Sequence, residues 1–218
     1  MAATQGAAAA AAGTHLPPLV TVTNHVALEP RYLFMCTNNL STFKNESLFR
    51  DPSGALVYRL TNNSGIFKES KELKDGQDRT ILRAKKFPLS LAKWTITQPS
   101  SDAVLAKTRT VSGMAKYGVE VDVPSAPRSD AKSTISILPD LSNSRVVMIQ
   151  NNGKHKPDTP MCVATYGENV AMGMISAAVQ DWTYHVVLDP GADAALACLL
   201  LVCYTDLIEW NAMGAANW

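Results

Sequence analysis

The sequence predicts a mostly β fold, a sandwich or barrel of about a dozen short strands, with one apolar helix near the C-terminus. Two observations carry this. From about Arg31 to Leu188 the chain falls into short runs rich in Val, Ile, Thr and aromatic residues, bounded by Gly, Pro, Asn, Asp or Ser. The turn signals recur about every 8–12 residues, the spacing of an all-β domain. The stretch DPGADAALACLLLVCYTD (Asp189–Asp206) then changes the composition to Ala, Leu and Cys. Ala and Leu favour helix, and no earlier run keeps a long 3.6-residue apolar period.

In chain order, residues 1–28 hold an Ala tract and HLPPL, which read as a flexible tail before a domain spanning 29–218. The start lacks the basic region and Leu-rich core of a signal peptide. ALVYRL (Ala55–Leu60) alternates after the turn DPSG (Asp51–Gly54), and GIFKES follows TNNSG. RTILRA (Arg79–Ala84) follows KDGQD, and LAKWTIT (Leu91–Thr97) stops at Gln98–Pro99. AVLAKTRTV, YGVEVDV, KSTISIL, RVVMIQ, PMCVATY, VAMGMISAAV and WTYHVVL repeat the same pattern.

The helix is expected near 190–205. Asp189 can cap it, Pro190 can take the first helical position, and Asp193 would suit the first turn. From Ala194 to Tyr204 it carries no charge and is apolar on every face, so it must be surrounded on every face. These roughly 11 residues span about 16 Å, half a bilayer but the depth of a β-barrel. Ala194, Ala195, Ala197 and Cys198 keep one stretch slim. A barrel closed around the helix accounts for this better than a membrane anchor.

A chain of 218 residues with 46% hydrophobic content can bury a substantial core. The net charge of +1 gives no global drive toward nucleic acid, and none is expected as a partner. Cys36, Cys162, Cys198 and Cys203 form no CxxC pair, and the four histidines form no metal-ligating pattern. The cysteines read as small apolar fillers in a reducing compartment, hence cytoplasmic, and no metal or cofactor is expected. Asn-x-Ser occurs at Asn39, Asn45 and Asn62, as chance matches in turns. Cys162, His185 and Asp189 have no catalytic motif around them, so no enzymatic activity is expected. Trp94 and Trp182 read as core or rim anchors, and Trp210 and Trp218 as a plug or a partner contact.

Several blocks are similar to the LURP-one-related family, within the tubby C-terminal-like group that also holds the phospholipid scramblases. FRDPSGALVYRL resembles the family's opening strand pair. SGIFKESKELKDGQDRTILRAKKFPLSLAKWTI resembles the next block, with an acidic turn, a basic strand and a Trp strand, here Trp94. WTYHVVLDPGADAALACLLLVCYTDL resembles the closing strand and apolar helix. The likeness covers roughly Leu48–Thr110 and Met161–Leu207, with no alignment over Ser112–Pro160. It implies a twelve-stranded antiparallel barrel around the C-terminal helix. At KDGQDRT, Asp75-Gly76 stands where the family has Asp-x-x-Gly, which leaves the turn type open. Tubby domains bind phosphoinositide headgroups, scramblases act at membranes, and LURP-one-related members are linked to plant defence. The resemblance carries no functional residue onto this chain.

One segment stands out by charge. Lys68–Lys116 holds 11 cations and 5 anions, a local net of +6 (11 − 5). The expected ligand site for an anionic headgroup is Lys68, Arg79, Arg83, Lys85, Lys86 and Lys93. On an exposed strand, Arg79 and Arg83 are expected to face away from Ile81. The function expected is a non-enzymatic module that recognises anionic phospholipid or phosphoinositide peripherally at membranes. The alternative is a protein-interaction or signalling scaffold without lipid affinity. An ordinary solvated wall, with Glu69, Glu72, Asp75 and Asp78 neutralising the lysines, competes with both.

Overall fold

The computed structural model describes residues 20–41, 44–65, 68–88, 93–110, 118–124, 133–140, 145–151, 158–166 and 182–215. Among these, the strands are β1 (Arg31–Ser41), β2 (Lys44–Arg50), β3 (Leu56–Gly65), β4 (Lys68–Asp75), β5 (Thr80–Lys86) and β6 (Trp94–Thr97). They continue with β7 (Val104–Thr110), β8 (Val119–Val123), β9 (Ser133–Asp140), β10 (Arg145–Asn151), β11 (Thr159–Tyr166) and β12 (Trp182–Leu188), and then α1 (Ala194–Ala215). Each strand pairs antiparallel with its sequence neighbours, and β1 pairs with β12 to close the barrel. Closure leaves no free sheet edge. The expected strand VAMGMISAAV falls outside the described residues.

The period-two alternation sends one set of side chains inward. Leu33 and Met35, Leu82 and Ala84, Val119 and Val121, and Ile135 and Ile137 are all buried on the inner face. They meet α1, whose residues from Ala194 to Tyr204 are each at most 5% exposed. The sheet wraps the helix on every side, as a segment with no polar face requires. Each fully buried Leu contributes up to about 1.5–3 kcal/mol of transfer free energy.

Two expectations about the chain ends change. The helix cap is Asp193, not Asp189. Leu196 N donates to Asp193 Oδ1 at 3.0 Å, and Ala197 N donates to Asp193 O at 2.9 Å. Asp189-Pro190-Gly191-Ala192 is instead a turn, with Ala192 N donating to Asp189 O at 3.1 Å and Gly191 at φ +88°. Pro followed by a left-handed Gly is the signature of a type II turn, and it competes with the N-cap reading of the same residues. The helix therefore starts at Ala194 and runs on to Ala215.

Residues 20–28 were expected in a flexible tail, but they close the barrel end around Asp193. Val22 N and Thr23 N donate to Asp193 Oδ2 at 3.0 and 2.7 Å, and Thr23 Oγ1 donates to Oδ1 at 2.8 Å. Ala194 N donates to His25 O at 2.9 Å, and Val20 is fully buried. One buried carboxylate thus caps the helix and ties down the segment before β1. Residues 1–19 lie outside the described set. Asp193→Ala removes four acceptor contacts, and we expect it to cost about 2–4 kcal/mol in urea unfolding. Amide exchange near Val22 and Thr23 should accelerate with it; an unchanged exchange rate there would contradict the tie.

The β5 expectation holds in part: Leu82 and Ala84 are buried inside, and Arg83 and Lys85 lie on the outer wall. Ile81 is the extra residue at a register shift against β4 and packs against the core, so it does not share the outer face with Arg83. Arg79 belongs to the β4–β5 turn. There Asp75 Oδ1 accepts from Gln77 N and Arg79 N, both at 2.9 Å. Asp78, at φ +64°, takes the left-handed position three residues after Asp75, where the family pattern has Gly. Gly76 has its own reason: a Cβ there would sit 2.7 Å from Leu56 O.

Candidate functional site

The barrel separates the expected cations by register. Arg79 lies at the end of the barrel where α1 begins, and its Nη2 pairs with Asp75 Oδ2 at 2.7 Å. Burial alone would raise the pKa of Asp75, but hydrogen bonds from Arg79 and Gln77 outweigh it and hold the carboxyl below its ordinary value. Arg83 lies opposite Glu72 across β4–β5, and its Nε meets Oε1 at 3.0 Å. Lys86 faces inward at the other end of the barrel, 2.5 Å from Glu69 Oε2 and over the Trp94 ring at 5.3 Å. Lys68 opens β4 opposite Gly65, with its side chain outside the described set.

Lys85 and Lys93 stay exposed on the outer wall near that same end. Thr95 lies opposite Lys85 on one side and Lys107 on the other. Strand spacing puts those two lysines roughly 10 Å apart. Arg109 follows on the same face, paired with Glu120, and Asp122 lies opposite Lys107. Phe87, whose N–H donates to Lys93 O at 2.8 Å, is 63% exposed beside this group. The segment therefore supplies Lys85, Lys93 and Lys107 to one face. Arg79, Arg83 and Lys86 pair with Asp75, Glu72 and Glu69.

A cluster missed in the sequence lies inside the same end. Lys71 is 1% exposed, and its Nζ is 2.6 Å from Asp206 Oδ2 on the helix. The ammonium also lies over the Trp94 ring at 5.1 Å, so Trp94 has a lysine near it from both β4 and β5. Burial pushes the Asp206 carboxyl above its ordinary range, and Lys71 opposes this. The signal in the sequence was the acid itself, since an otherwise apolar buried helix that carries an Asp needs a counter-charge.

The catalytic constellation is ruled out by topology. Cys162 is buried on the inner face of β11, whereas His185 on β12 faces out, stacked with Phe34 and Tyr32 at 5.2 and 6.1 Å. The sheet stands between them. Burial pushes the Cys162 thiol up to about 12, with Asp189 adding to the effect, and lowers the pKa of His185. Cys36, Cys198 and Cys203 are buried as well. No group of three metal-ligating side chains occurs among the described residues. No described helix is long and apolar enough to cross a membrane. Trp94 is buried in the core, while the side chains of Trp182 and Trp210, and the whole of Trp218, lie outside the described residues.

A closed antiparallel barrel of twelve described strands, filled by its C-terminal helix, defines the class as tubby-like. A family model described as LURP-one-related matches residues 33–206, and the chain belongs to that family. The bounds of the match include Ser112–Pro160, where the motifs alone gave no alignment. A protein of Arabidopsis thaliana solved by X-ray crystallography has a similar fold, with a TM-score of 0.58 at 12% identity. That likeness covers 84% of this chain and 94% of the Arabidopsis chain. No curated protein matches.

Proposed function

We propose that this barrel is a non-enzymatic binding module that recognises anionic phospholipid, phosphoinositide headgroups included, at a cytoplasmic membrane surface. The observation that carries this reading is the gathering of Lys85, Lys93 and Lys107 on one outer face beside exposed Phe87. A helix-filled interior leaves ligand recognition to the outside of the barrel. Each cation near an anionic leaflet contributes about 1 kcal/mol, so several are needed together. The test is co-sedimentation at low salt with phosphatidylcholine vesicles, with and without phosphoinositide. Lys85→Glu, Lys93→Glu and Lys107→Glu combined should weaken binding at least tenfold, as expected for about 1 kcal/mol per lost cation. Absence of lipid-dependent binding in the unmodified protein, or binding indifferent to the three reversals, would sink the proposal.

The alternative is a protein-interaction or signalling scaffold without lipid affinity. The stack of Tyr32, His185 and Phe34 favours it, since Tyr32 is 47% exposed on the outer wall. That reading expects no vesicle binding, and a partner whose capture is lost in Tyr32→Ala.

A further inference from the structure

We infer that the barrel meets the bilayer with the strand end that carries Phe87, and that Phe87 is an apolar anchor entering the lipid surface. This inference rests on the lipid reading above and adds the orientation and the inserting side chain. The up-and-down order puts the β1–β2, β3–β4, β5–β6, β7–β8, β9–β10 and β11–β12 connections at one end, and the remaining ones at the other.

Large apolar side chains are exposed at both ends, so exposure alone does not choose between them. Phe87 and Tyr166, 63% and 54% exposed, lie at the first end, while Leu28 and Val104, 67% and 40% exposed, lie at the second. Charge decides. Phe87 has Lys85 and Lys93 close by in the β5–β6 hairpin, and Tyr166 follows Thr165, which lies opposite Arg145, itself across from Asp140. Leu28 is followed by Glu29, and Val104 lies two residues after Asp102. An apolar residue flanked by cations suits an anionic leaflet, because the ring enters the acyl boundary while the ammonium groups stay among the headgroups. One flanked by carboxylates is repelled there.

The experiment places a single environment-sensitive label on the full chain, at Phe87→Cys in one preparation and at Leu28→Cys in another. The native cysteines are buried and do not compete for the label. Vesicles are phosphatidylcholine with or without phosphoinositide. The expected result is a blue shift and quenching by lipid-borne quencher at position 87 with anionic vesicles only, and neither at position 28. Phe87→Ala should weaken co-sedimentation about tenfold. Vesicle binding with no response at 87, or with a response at 28 instead, overturns the orientation and leaves the lipid reading standing. No vesicle binding by the unmodified chain overturns both. A shift at 87 that depends on protein concentration without vesicles assigns the surface to a second copy and overturns the anchor.

Discussion

Leu200→Asp yields a chain that does not fold cooperatively. Leu200 is fully buried within the uncharged stretch of the helix, lining a small cavity with Trp94, Thr108, Val119, Ile137, Cys203 and Tyr204. No cationic side chain is among these neighbours. A carboxylate there either stays charged without a partner or takes up a proton, and both routes are costly. A cost of several kcal/mol is comparable to the whole stability of a domain, about 5–15 kcal/mol. Leu200→Ala separates the effect of charge from that of volume. It should remain folded and lose about 2–5 kcal/mol. The pair is read by circular dichroism in a urea titration, with near-ultraviolet signals reporting the packed aromatics. A soluble Leu200→Asp with one sharp transition would mean that the helix is not the buried axis of the barrel.

This burial was legible because it follows from local pattern. A strand half-buried against a core alternates, and a helix with no polar face has to be enclosed; both rules act on neighbouring residues. β1 and β2 were less clear, since RYLFMCTNNLS and KNESLFR mix polar residues into the strand pattern. Other features depend on which residues meet across the barrel. Asp-Pro-Gly at 189–191 fits both a helix start and a type II turn, and contact with residues 20–27 selects the turn. The basic segment was visible as a count of charges, but its pairing was not. Register places Glu72 opposite Arg83, and Lys86 reaches Glu69 on the neighbouring strand, so part of the excess charge is consumed within the wall. Lys71 sat within the same count of cations. Its parity with Leu73 on β4 turns it inward, and only the position of Asp206 on the helix explains why a lysine can remain there.

Lys71→Met tests that explanation. It leaves Asp206 without the ammonium 2.6 Å away, while Glu69 retains Lys86. Removing one member of a buried pair costs about 3–5 kcal/mol, and the 26% exposure of the Asp206 side chain puts the expected loss near the low end, about 3 kcal/mol. The double variant Lys71→Met with Asp206→Leu removes both charges and should regain most of it, since replacing a buried pair with apolar groups is often close to neutral. The single variant also has a pH dependence of fixed sign. Burial already raises the Asp206 carboxyl, and Lys71 is the group that opposes this. Without Lys71 the folded-state pKa rises further above the unfolded value, so the folded chain binds the proton more readily. The deficit of Lys71→Met is then largest at neutral and alkaline pH and shrinks as pH falls from alkaline to acid through that raised value. The double variant, lacking the acid, should show no such recovery. Urea midpoints of the wild type and the two variants across this range decide the matter. If Lys71→Met loses stability equally at both ends of the range, the loss comes from packing around Trp94 and not from the stranded carboxylate.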